Sequence, residues 1–159
     1  MKRFLLFASL ALLPLSGCGG GGSTSPQPTN KAVVFGIFGN LTTAVRGIQV
    51  TATLPRGVFP NHTGNVLRLE EKGLKSLKGT AQVFGSYSAR TNRVYLGVIP
   101  TTASLDIGLG DFARLTYTVD PAVAAPPEAD FQQATFLVSG PNATDISARV
   151  TTSVKLTLY

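Results

Sequence analysis

In the stretch Ile48-Gln49-Val50-Thr51-Ala52-Thr53-Leu54 every second residue is apolar and the residues between are polar or hydroxylated. A period of two places Ile48, Val50, Ala52 and Leu54 on one face and Gln49, Thr51 and Thr53 on the other, the pattern of an antiparallel strand with one buried side. Val154, Leu156 and Leu158 alternate with Lys155 and Thr157 in the same way. Further strands are expected at Ala32–Phe38, Val66–Glu70, Ala81–Ala89, Arg93–Ile99, Ser104–Ile107, Ala113–Val119 and Ala134–Val138. The turn formers Gly39-Asn40, Pro55-Arg56-Gly57, Pro60-Asn61, Gly108–Asp111, Asp120-Pro121 and Gly140-Pro141-Asn142 separate them. About nine short strands with frequent turns predict an all-β sandwich or barrel. No ten-residue segment carries a helical stripe. Gly73–Lys78 and the stretch after Asp120 have room for a single turn, and Asp120 to Asp130, with Pro121, Pro126 and Pro127, is expected to be a long surface loop.

The order of these elements is similar to that of the cohesin-like β-sandwich. Val45-Arg46-Gly47-Ile48-Gln49-Val50-Thr51-Ala52-Thr53-Leu54-Pro55 resembles the strand of that family that leads into a proline-containing loop. Gly110-Asp111-Phe112-Ala113-Arg114-Leu115-Thr116-Tyr117-Thr118-Val119 resembles the later strand that follows a glycine-rich turn. The resemblance covers most of Lys31 to Tyr159 and implies a jelly-roll-like antiparallel sandwich of nine strands. It also implies a module without catalysis that binds a partner protein through a sheet face, or binds polysaccharide. After Leu54 the chain has Pro55-Arg56-Gly57-Val58-Phe59 in place of the Asp-Pro dipeptide of scaffold cohesins, and no dockerin-like calcium repeat is present. No binding residue is carried over from the family.

The amino terminus is of a different kind. Lys2 and Arg3 precede an apolar run from Phe4 to Leu13, too short to span a bilayer and suited to the core of a signal peptide. Leu15-Ser16-Gly17-Cys18 resembles the lipobox of bacterial lipoproteins, which implies cleavage before Cys18 and its lipidation. Cys18 is the only cysteine, and lipidation accounts for a thiol that has no disulfide partner in an exported chain. In the lipoproteins this segment resembles, an Asp after the lipidated cysteine favours inner-membrane retention, so Gly19 at that position implies the outer membrane. From Gly19 to Asn30 the chain holds only Gly, Ser, Thr, Pro, Gln and Asn, a composition that cannot bury enough surface to order itself. It reads as a tether with a reach on the order of 20 Å. The expected organisation is thus a signal over 1–17, a lipidated cysteine and tether over 18–30, and a sandwich domain over 31–159, exported and lipid-anchored to the cell envelope.

Without Lys2 and Arg3 the formal charge falls from +6 to +4. The densest basic group, Lys72, Lys75 and Lys78, has Glu70 and Glu71 beside it, so nothing in the chain tracks a phosphate backbone and nucleic acid is not an expected partner. Chemistry is thinly provided for. His62 is the only histidine and sits in a turn, where it reads as an exposed loop residue and not as a catalytic base, and it leaves no set of His and Cys ligands for zinc or copper; no local context singles out a catalytic pair among the eight acids. Asp106 with Asp111, or Glu128 with Asp130, offers carboxylates for a hard cation, but both pairs read first as turn formers. No catalytic residue, metal site or cofactor is expected. Three Asn-x-Thr triplets, at Asn40, Asn61 and Asn142, agree with turns.

A sugar-binding face would need exposed flat rings. Tryptophan is absent, which leaves Tyr87 and Tyr95. With a two-residue loop at Thr91-Asn92, Tyr95 falls on the face of Ser86, Ser88 and Arg93, and Tyr87 on the opposite face with Val83. Tyr95, Tyr87 and Arg93 are therefore the candidate ligand-binding residues, Tyr95 as the exposed ring and Tyr87 with a core role. The membrane, through the lipid, and a protein or polysaccharide are the expected partners. A structural subunit of an envelope assembly is the third reading.

Overall fold

A computed structural model describes residues 31–61, 68–69 and 73–158. Nine strands run through these residues, β1 Lys31–Phe38, β2 Gly47–Thr53, β3 Val58–Pro60, β4 Leu74–Ser76, β5 Ala81–Ser88, β6 Arg93–Pro100, β7 Gly110–Val119, β8 Ala134–Ser139 and β9 Thr151–Leu158. All pairings between them are antiparallel. One sheet has the order β3-β7-β1-β9 with β4 also on β7, and the other is β5-β6-β2-β8. The fold is an antiparallel β-sandwich.

The alternation that predicts β2 also fixes its place. Ile48, Val50 and Ala52 are buried, Gln49 is exposed, and Ile48 lies opposite Val98 on one side and Val138 on the other. These inward residues meet Val33, Phe35 and Ile37 of β1 in a single core. Phe136 of β8 bridges the layers, its ring edge-on to Phe35 at 6.3 Å and to Phe112 at 6.4 Å. Each such pair contributes about 1 kcal/mol beyond its buried area. β1 does not alternate, and Ala32 and Val34 on its other face are buried as well. Between Phe35 and Gly36 the register with β7 shifts so that Phe112 has no partner residue. The bulge is why consecutive Phe112 and Ala113 are both buried in a strand.

Several local expectations are corrected. Ser104–Ile107 is not a strand. Asp106 turns its Oδ1 to the backbone N–H groups of Val45 and Gly108, both at 2.8 Å, and Leu105 N–H closes a turn on the Thr102 carbonyl. The alternating apolar residues there follow a loop held by an Asx-type bond. The short strands β3 and β4 lie where turns were expected, β4 inside Gly73–Lys78 and β3 ending at Pro60. Both lie along β7. Of Val66–Glu70 only Arg68 and Leu69 are described, and Leu69 makes a single bridge to Gly85. The loop after Asp120 ends in a 3₁₀ turn, Glu128–Phe131, whose Phe131 is buried with its ring 5.3 Å from that of Tyr117.

At the turn after β8, Asn142 and Ala143 have φ of 56° and 57°. Thr144 N–H closes the turn on the Pro141 carbonyl. Asn tolerates the left-handed region, whereas Ala pays about 1–2 kcal/mol there. Glycine removes that cost and loses about 0.5–1 kcal/mol to the entropy of the unfolded chain. Ala143→Gly is therefore expected to stabilise the protein by roughly 0.5–1 kcal/mol, raising the melting temperature by a few degrees. A lower melting temperature in a thermal scan would show that the Ala143 methyl makes contacts worth more than the strain.

Candidate binding face

The outward side of the four-stranded sheet is set by the parity of β6. Val94, Leu96 and Val98 point into the core, so Arg93, Tyr95, Gly97 and Ile99 point out. The register then lays the outward residues in rows. Gln82, Ile99, Gly47 and Ser139 form one, Phe84, Gly97, Gln49 and Leu137 the next, and Ser86, Tyr95, Thr51 and Thr135 the third. Ser88, Arg93 and Thr53 begin the fourth. Arg93 is the one charged residue in these rows. Phe84 is 52% exposed, Ile99 45%, Tyr95 43% and Leu137 40%.

Gly97 shapes the middle of this face. A Cβ there would lie 2.3 Å from Cε2 and Cζ of Phe84, so the Phe84 ring rests directly on the glycine backbone. Beside it is an open depression of about 640 Å³, lined on its outer side by Gln49, Thr51, Arg68, Phe84, Ser86 and Tyr95. A shallow apolar surface with hydroxyl and amide neighbours suits another molecular surface better than an enclosed small ligand.

Of the candidate residues, Tyr95 and Arg93 stand exposed on this face, as expected from the hairpin. The hairpin loop is longer than the two residues expected, running Ala89–Asn92 between paired Ser88 and Arg93. The register therefore differs by two, which leaves every side chain on its face. Tyr87 faces the core at 4% exposure and is unavailable to a ligand on the Tyr95 side. Its hydroxyl donates to Asn92 Oδ1 at 2.8 Å, and burial pushes its phenol above the usual range. Tyr87 braces the hairpin. Phe84, Ile99, Leu137 and Arg68 are part of the face and were not among the sequence candidates. Parity along β5 would have placed Phe84 with Ser86, but the unbroken run Phe136-Leu137-Val138 gives no parity for Leu137.

The remaining candidates are occupied with structure. Lys75 lies opposite Arg114 on β7, and Lys78 Nζ donates to the Leu109 carbonyl at 2.6 Å. Asp111 Oδ1 is 3.7 Å from Lys155 Nζ, while Glu128 Oε2 accepts from Leu156 N–H at 3.1 Å. Among the described residues no three His, Cys, Asp or Glu side chains come together to hold a metal ion, and no helix is long and apolar enough to cross a membrane. Cys18, His62 and Lys72 lie outside the described residues.

No protein-family model and no curated protein matches this sequence. The fold is similar to the crystal structure of type II cohesin A11 from Bacteroides cellulosolvens, with a TM-score of 0.50 and 13% identity, covering 74% of this chain and 84% of that one. The described residues thus form a cohesin-like β-sandwich of nine antiparallel strands.

Proposed function

We propose that the protein is a non-catalytic binding module, tethered to the cell envelope through a lipidated Cys18, that grips a surface or extracellular protein with the outer face of β5-β6-β2-β8. The observation that carries this reading is the face itself. Four large apolar side chains stand exposed on one sheet, and none of its outward positions in the four strands holds a carboxylate. Exposed apolar side chains with little charge and aromatic residues among them are the composition of an interface core. The cohesin-like fold supports the same reading. Cross-linking on intact cells tests it, with soluble envelope polysaccharides offered to the purified protein in parallel. Specific protein adducts support the proposal, and saturable polysaccharide binding without protein adducts would replace it.

Tyr95 favours polysaccharide as the second reading, since its exposed ring has Arg93, Ser86 and Thr51 on the same face for sugar hydroxyls. Phe84 has no polar tip to help, and the apolar Ile99 and Leu137 extend beyond the width of one sugar track.

The anchor is tested separately. Cys18→Ser is expected to move the protein from the membrane pellet to the soluble fraction of a cell lysate, because several acyl chains at about 0.8 kcal/mol per methylene hold a chain that an unlipidated terminus cannot. Retention of the variant in the pellet would contradict lipid anchoring.

A further inference from the structure

Two exposed cations flank the β5–β6 side of the binding face, and exposed carboxylates flank its β8 side, where Arg56 and Arg149 also lie. On the β5–β6 side are Arg68, which lines the depression with Phe84 and Tyr95, and Arg93 in the outward row with Ser88 and Thr53. Both are exposed, and neither pairs with a carboxylate among the described residues. On the β8 side is Asp145, bridged antiparallel to Ser139 at the outer edge of β8 and exposed on the same side as that outward serine. Bonds from the Ser147 hydroxyl and from its backbone N–H, the latter at 2.9 Å, hold the Asp145 carboxyl below the usual range, so it stays charged at neutral pH. Asp130 stands at the other end of β8, in a small depression with Thr53, Gln133 and Arg56.

We infer that the partner docks in one orientation only, presenting carboxylates to Arg68 and Arg93 and a cation to Asp145, with apolar side chains between them over Phe84, Tyr95 and Leu137. This rests on the reading of the face as protein-binding. The nearly uncharged centre gives adhesion in either orientation, since area burial has no direction. Rim charges supply the direction: a partner turned end for end would meet like charge on both sides, and such juxtapositions discriminate more strongly than single rim pairs attract. A docking segment with acidic and basic flanks on opposite sides of an apolar stripe has the required chemistry.

The test uses the full chain on intact cells, with Thr135, exposed in the outward row of Tyr95, replaced by the photo-cross-linker p-benzoylphenylalanine and the yield of protein adduct as the readout. Arg68→Glu with Arg93→Glu is expected to lower the yield about tenfold, and Asp145→Lys to lower it several-fold. Arg68→Lys with Arg93→Lys keeps most of it. Melting temperatures equal to that of the parent protein show that the fold is intact in each variant. An unchanged yield after both arginine reversals, with the adduct still forming, overturns the orientation inference and leaves protein docking standing. Absence of any protein adduct from position 135 in the parent background overturns both.

Discussion

Asn92→Ala is expected to destabilise the protein by about 4 kcal/mol, lowering its melting temperature by on the order of 10 °C. Asn92 has φ of 50° and ends the β5–β6 loop. Its Nδ2 donates to the carbonyls of Leu54 and Pro55 at 2.9 and 3.0 Å, its Oδ1 accepts from the Tyr87 hydroxyl at 2.8 Å, and its own carbonyl accepts from Leu54 N–H. One side chain therefore ties the hairpin to the loop after β2 and satisfies the hydroxyl of a buried tyrosine. Alanine gives up three hydrogen bonds at about 1 kcal/mol each and adds about 1 kcal/mol of left-handed strain. Against a total stability of about 5–15 kcal/mol this is a large loss. Asn92→Gly gives up the same three bonds without the left-handed strain and should cost less than alanine does. In a Tyr87→Phe background the cost of Asn92→Ala should shrink by about 1 kcal/mol, because the two residues share a bond. Additive losses in that double-mutant cycle would show that the hydroxyl contributes nothing to the hairpin.

The second large effect concerns binding. Phe84→Ala with Tyr95→Ala is expected to lower protein capture from the cell surface at least a hundredfold, with little change in stability. Exposed aromatic residues at the centre of an interface are its usual hot spots, each worth about 2 kcal/mol or more when truncated. Removing the Phe84 ring also uncovers the Gly97 backbone it rests on. Both side chains are about half exposed in the free protein, so their loss leaves the core intact. Capture within threefold of the parent would place the contact elsewhere on the molecule.

The parts of the fold written in side-chain periodicity were legible in the sequence. β2, β5, β6 and β9 announce themselves because one face of each is polar, and that same parity put Tyr95 outward and Tyr87 inward. Three features hid the rest. Asp106 captures two backbone N–H groups, so a stretch that alternates like a strand becomes a loop. β3 and β4 are three residues each, too short to show a period, and exist because β7 offers them partners. The bulge at Phe112 breaks the alternation of β7, and only the register with β1 reveals why. The binding face was half legible for a related reason. Tyr95 and Arg93 follow from one hairpin, but assembling them with Leu137 and Arg68 needs the order β5-β6-β2-β8 and the bridge beside β5, which are long-range facts.

The most direct test of the account compares the two outer faces of the sandwich in living cells. p-Benzoylphenylalanine is placed in the full chain at position 135, outward and exposed on the four-stranded sheet, or at position 155, where Lys155 lies outward and half exposed on the five-stranded sheet. A discrete protein adduct is expected from position 135 and none from position 155. An adduct from position 155 alone, or equal yields from both, would contradict the assignment of the binding face.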